Sequence, residues 1–199
     1  MDQHTVGYFV GSLAKGSINR KLALALVRIA PPELLMREIE FGDLPLYSYD
    51  YDHDFPPSAR AFKDALAAVD AVLFVTPEYN RSIPGALKNA IDWASRPYGR
   101  NSFTRKPSAV IGTSPGKIGT AVGQQHLRSI LAFCNSPLMN SIEAYIQFTP
   151  GLINDDYEVT DEQMAQFLNN YMAEFASFIT RVYMAIPKSA LTRRGDTPT

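Results

Sequence analysis

Three short stretches hold most of the chemistry available to this chain. The first, GSLAKGSINR, starts at Gly11 and sets Ser12, Lys15, Ser17, Asn19 and Arg20 just ahead of a helical run. Hydroxyls, an amide and a cation at a helix start suit a phosphate, because the first helical N–H groups are unpaired and that end is partly positive. Ser17 alone would also serve as an ordinary helix cap. Gly11 and Gly16 satisfy half of a nucleotide-triphosphate loop, but Ser17 and Ile18 stand where Lys and Ser or Thr are required. The dinucleotide pattern G-x-G-x-x-G is absent, so a terminal monophosphate fits better than a pyrophosphate.

The second stretch, TPEYNRSIPG, follows the apolar run AVLFV and packs two prolines, a carboxylate, an aromatic, an amide, a cation and a hydroxyl into ten positions. Reversing the chain needs far less. Backbone groups stiffened by Pro77 and Pro84 could meet the edge of a flat heterocycle, with Tyr79 and Ile83 as apolar contacts. Glu78 and Asn80 either face that ring or order the loop. The third stretch, TSPGKIG, contains a G-x-S-x-G match at residues 112–116, the pattern of a hydrolase nucleophile elbow. That mechanism uses the N–H after the serine, and Pro115 has none. The downstream histidine, His126, sits inside the next helix and not on a late loop. Ser114, Gly116 and Gly119 read instead as a wall that a ligand approaches closely.

Five apolar or β-branched runs, at residues 5–10, 34–39, 71–75, 108–112 and 141–145, alternate with helical patterns and so set these loops in place. Helices are expected from SINRKLALALVRIA, PSARAFKDALAAVD, GALKNAIDWAS and TAVGQQHLRSILAFC. A long last helix starts at a Thr160 or Asp161 cap and shows Phe167, Tyr171, Phe175, Phe178 and Val182 on its apolar side. Strands alternating with helices imply right-handed βαβ units, hence an α/β three-layer sandwich. The leading topology is a flavodoxin-like five-stranded parallel sheet in the order 2-1-3-4-5. In that order strands 1, 3 and 4 are neighbours, and the loops leaving them are the three just described. Residues 1–185 read as one domain, and 186–199, polar and without periodicity, as a flexible tail.

The bulk numbers agree with that picture. The 199 residues are 46% apolar and 20% charged with a net charge of -1. That leaves no cationic field for nucleic acid or an anionic membrane. A single cysteine, Cys134, excludes an internal disulfide and reads as inert packing. No basic, apolar leader and no long apolar span occur, so the expected location is the cytoplasm. Asp50, Asp52, His53 and Asp54 alternate with tyrosine as a solvated loop would, or form a rim over the ligand, and no metal site is expected. The RGD triplet in the tail is read as chance.

GSLAKGSINRKLA, GDLPLYS, TPEYNRSIPGALKNAIDWASRP and KPSAVIGTSPGKIGT resemble the NADPH-dependent FMN reductase family, over residues 6–141 and in the same order and spacing. The resemblance implies a non-covalent FMN with NADPH or NADH as co-substrate. Ser12, Lys15, Ser17 and Asn19 would bind its phosphate. Pro77, Glu78, Tyr79, Asn80 and Ser82 would surround the isoalloxazine, and Ser114 and Gly116 would close the remaining side. It implies hydride transfer from NAD(P)H to the flavin and then reduction of a quinone, an azo or nitro compound, chromate or free flavin. The cofactor carries that chemistry, so no side chain is expected as acid, base or nucleophile. Homodimers, or dimers of dimers, are implied as well, with Trp93, Tyr98 and Phe133 as interface candidates. Lys15 departs from the Arg of many relatives and cannot form a bidentate fork. The competing reading, a flavodoxin-type electron carrier, fits poorly with a charge near zero, since such carriers use a strong acidic field to find partners.

Overall fold

In β3 (Ala71–Val75) every side chain is buried, which happens when a strand is covered on both faces. Ala71, Leu73 and Val75 point into one apolar cluster and Val72 and Phe74 into another, as the two-residue period of a strand requires. A computed structural model describes residues 3–188. Their strands β1 (His4–Val10), β2 (Leu34–Glu38), β3, β4 (Ser108–Ser114) and β5 (Tyr145–Gln147) pair in parallel in the order β2-β1-β3-β4-β5. The first cluster lies under α1 (Ile18–Arg28) and α5 (Glu162–Ala185). The second lies under α2 (Pro57–Ala67), α3 (Gly85–Ser95) and α4 (Ala121–Phe133). This is the expected sandwich and strand order.

Several expectations need correction. The fifth strand forms at Tyr145–Gln147, because only there does the chain come level with Gly112–Ser114, the part of β4 that outruns β3. The buried stripe of α5 is Leu168, Tyr171, Met172, Phe175 and Ile179, while Phe167 and Phe178 flank it. The Tyr171 hydroxyl donates to the Val110 carbonyl at 2.9 Å, which fixes the rotation of the helix in a way that apolar spacing does not encode. Trp93 is 0% exposed and its indole N–H donates to the Pro45 carbonyl, so it is core and not an interface residue. Asp52 is no solvated loop residue. It accepts from the Tyr47 hydroxyl at 2.7 Å and pairs with Arg96 at 3.2 Å. Among the described residues no group of three His, Cys, Asp or Glu side chains could hold a metal ion. The tail from residue 189 onward, with its RGD triplet, lies outside the described residues.

Two lysines close the loops on the side opposite to α1. Lys63 reaches the carbonyls of Ala94, Arg96 and Arg100 and the Ser102 hydroxyl. Lys106 is buried and donates to the carbonyls of Leu66 and Val69. Burial pushes both ammonium groups down to about 8. A neutral amine still has two N–H groups for the two carbonyls around Lys106. Above pH 8 the folded chain therefore holds fewer protons than the unfolded one, whose lysines titrate near 10.5, so stability rises with pH. From pH 8 to 9 Lys106 contributes roughly 1 kcal/mol. Urea midpoints should rise over that interval, and less so in Lys106→Met; equal slopes in the two proteins would contradict the linkage.

Candidate functional site

Beyond the ends of β1 and β3 the chain runs so close to β4 that Gly11, just after β1, and Gly112, inside β4, have no room for a side chain. A Cβ on Gly11 would lie 2.6 Å from the Thr76 hydroxyl oxygen, and one on Gly112 only 2.0 Å from the Thr76 carbonyl oxygen. The three loops therefore leave side by side from adjacent strands at one sheet edge, which is where ligands sit in sheets of this kind.

In the first loop Ser17 caps α1 and accepts from the Arg20 N–H at 3.2 Å, so the capping role is real, while its own proton is left to donate. Ser12 is buried and accepts weakly from Ala14. The backbone N–H groups of Lys15, Gly16, Ile18 and Asn19 make no hydrogen bond among the described residues. Four open donors around a helix start form a cradle for an anion. Lys15 and Arg20 differ sharply. Arg20 is gripped by Glu38 through two bonds of 3.0 and 2.6 Å, which also raises its pKa, whereas Lys15 is exposed and makes no ion pair among the described residues. Asn19 is only 1% exposed, and its amide both donates to and accepts from the Thr113 backbone at 2.9 and 3.0 Å. It braces α1 against the overhang of β4 and does not reach outward. Asn19→Ala should strand both Thr113 groups and cost about 2–4 kcal/mol in urea unfolding; a loss below 0.5 kcal/mol would contradict that role.

The second loop is a tight turn. Tyr79 and Ser82 exchange both backbone hydrogen bonds at 2.9 Å, with Asn80 and Arg81 at φ of 53° and 62°. Asparagine tolerates that left-handed conformation, and Asn80 is exposed, so it shapes the turn. Pro77 is buried and Tyr79 is about half exposed. Glu78 turns sideways: its carboxylate accepts from the Gly123 N–H at 2.9 Å, capping α4 from another element. Its bonds to Gly123 and Arg81 order the loop against α4. In the third loop the Ser114 hydroxyl donates to the Gly119 carbonyl at 2.7 Å and accepts from the Gly116 N–H. His126, the partner a nucleophilic serine would need, bonds Ser82 at 3.2 Å, so no triad forms there.

The structure thus sets Ser12, Lys15 and Ser17, Pro77, Tyr79 and Ser82, and Ser114 and Gly116 on three neighbouring loops, with Asn19, Glu78 and Asn80 as their supports. Open amides, hydroxyls and one unpaired cation beside a rigid, partly apolar turn fit a mononucleotide that carries a flat ring. The helix-start amides were expected from the sequence; the further bare amides at Lys15 and Gly16 and the part played by Gly123 and His126 were not. Neither has a signature in linear spacing.

A family model described as NADPH-dependent FMN reductase matches residues 4–150. A 2-hydroxy-1,4-benzoquinone reductase from Burkholderia sp is 47% identical over 174 residues, 87% of this chain and 95% of the relative. A quinone reductase of Escherichia coli strain K12 is 38% identical over 181 residues, 87% of this chain and 94% of the relative. Among solved structures, the flavoenzyme NAD(P)H:(acceptor) oxidoreductase FerB from Paracoccus denitrificans is similar with a TM-score of 0.86 at 47% identity. That match covers 89% of this chain and 98% of FerB.

Proposed function

The chain belongs to the NADPH-dependent FMN reductase family, and from that premise we propose how its own residues serve an NAD(P)H-dependent reduction of quinones and related small acceptors. A non-covalently bound FMN would supply the chemistry that couples oxidation of NAD(P)H to reduction of the acceptor. The observation that carries the reading is the set of bare N–H groups at Lys15, Gly16, Ile18 and Asn19 beside an unpaired Lys15. Ser12, Lys15 and Ser17 hold the phosphate there, with Asn19 fixing the cradle from behind. Pro77, Tyr79 and Ser82 flank the ring, Glu78 and Asn80 hold their turn in shape, and Ser114 and Gly116 line the other side. Backbone N–H groups of these loops that the turn itself leaves open would stabilise negative charge on a bound flavin. No side chain is assigned a proton here; the proton that completes reduction of a quinone to a hydroquinone comes from solvent. The FMN-binding domain spans residues 1–185.

The carrier alternative lacks support: the relatives are reductases, and the field of a chain with net charge -1 is weak. Anaerobic mixing of the FMN-loaded protein with NADPH in a stopped-flow instrument separates the two. Rapid loss of the oxidised flavin absorbance is expected, and a flavin that stays oxidised would contradict enzyme function.

Self-association belongs to the same proposal. Phe133 and Tyr98 are each 92% exposed, and Phe133 borders a cavity of about 320 Å³ between α3 and α4 that Ile91 and Ile130 also line. Exposed Phe133 beside this hollow, with exposed Tyr98 elsewhere on the surface, suits a second copy of the chain, as a homodimer or a dimer of dimers. The working compartment in this reading is the cytoplasm. It is supported by a lone buried Cys134 and by the lack, among the described residues, of a helix long and apolar enough to cross a membrane.

A further inference from the structure

The turn at residues 79–82 is closed on itself, so something else must decide where it stands. Its side-chain links to the rest of the protein are few. Among the described residues Arg81 bonds only back to Glu78, at 3.3 Å. Glu78 accepts from the Gly123 N–H, and the Ser82 hydroxyl meets Nδ1 of His126 at 3.2 Å. Gly123 and His126 are three residues apart, on one face of α4. The helix backbone presses against the turn at Gly123, where a Cβ would lie 3.0 Å from the Ser82 carbonyl oxygen and 3.3 Å from Cγ of Glu78. α4 also begins directly after the third loop, so its first two turns carry one wall of the site and grip another.

We infer that His126 is a positioning residue of the FMN site: through Ser82 it sets how the 79–82 turn faces the 114–119 loop. The inference rests on the FMN reading given above, and it concerns a side chain that does not itself touch the cofactor. His126 is exposed, so removing its ring opens no core cavity. An asparagine at this position brings an amide to the place of Nδ1, whereas glutamine brings one to the place of Nε2 and leaves Ser82 alone.

The test uses the full chain with His126→Ala, His126→Asn and His126→Gln, with and without FMN. In the protein freed of FMN, amide hydrogen exchange at Tyr79 and Ser82 should quicken about three- to tenfold in the Ala and Gln variants, the factor that one hydrogen bond represents. The FMN dissociation constant should rise by a similar factor, and the Asn variant should recover most of both, with thermal midpoints unchanged. With FMN loaded and 1,4-benzoquinone as acceptor, the Ala variant should change KM more than kcat. Adding His126→Ala to Ser82→Ala should bring no further loss, because the two act as one unit. Unchanged exchange in the Ala variant, an Asn variant no better than Ala, or additive losses in the double variant would overturn the inference. A wild-type protein that takes up no FMN would overturn the underlying reading instead, and the exchange result in the free protein is independent of it.

Discussion

Lys15→Ala should weaken FMN binding by about ten- to a hundredfold, the range expected for one charge-assisted contact to a phosphate. Lys15 is the cation of the first loop with no ion-pair partner among the described residues, while Arg20 is held by Glu38. Arg20→Ala should therefore leave FMN affinity nearly unchanged and instead loosen the corner where Tyr8 and Arg20 both bond Glu38. Lys15→Arg should match or exceed the wild type, since a planar fork can take two phosphate oxygens at once. The loss in Lys15→Ala should shrink as salt is raised, because an exposed charge is screened. Flavin fluorescence titration at two salt concentrations reads all three variants. A larger loss from Arg20→Ala than from Lys15→Ala would reverse the assignment.

Gly112→Ala should cost about 3 kcal/mol or more, because the added methyl has nowhere to go. Its Cβ would stand 2.0 Å from the Thr76 carbonyl oxygen and 2.4 Å from the Thr120 hydroxyl oxygen. The first of these is backbone and cannot swing aside. Relief requires β3 and β4 to part at their C-terminal ends, which breaks the bond from the Thr76 N–H to the Ile111 carbonyl and spreads the second loop from the third. Stability and FMN uptake should fall together. Gly16→Ala is the control, since a Cβ there meets nothing within 4 Å and the change should stay within about 0.5 kcal/mol in urea unfolding. Equal midpoints for Gly112→Ala and the wild type would mean that the strand ends do not pack as described.

The strands and helices were legible because each is decided by local pattern. The short apolar run AVLFV, bounded by turn residues, reads as a doubly covered strand, and GALKNAIDWAS begins and ends where α3 does. Strand order followed from counting alternating units and from the handedness of crossovers. β5 was legible only as a presence, since its place is set by the overhang of β4 and three residues carry too little pattern to mark a boundary. The loops were recognisable as a site by their chemistry, but the division of labour inside them was not. Asn19 and Glu78 have the same donor and acceptor groups whether they meet a ligand or the protein's own backbone. Only the fold shows that Thr113 and Gly123 already occupy them. Trp93 was misplaced for a related reason: an aromatic late in a helix looks alike at an interface and in a core, and the Pro45 carbonyl that receives its N–H is 48 residues away.

A crystal structure of the protein soaked with FMN tests the central claim most directly. The phosphate should sit on the N–H groups of Lys15, Gly16, Ile18 and Asn19 within reach of the Lys15 ammonium, with the ring between the 77–82 and 114–119 loops. An FMN bound elsewhere, or a phosphate that leaves those amides bare, would contradict the account.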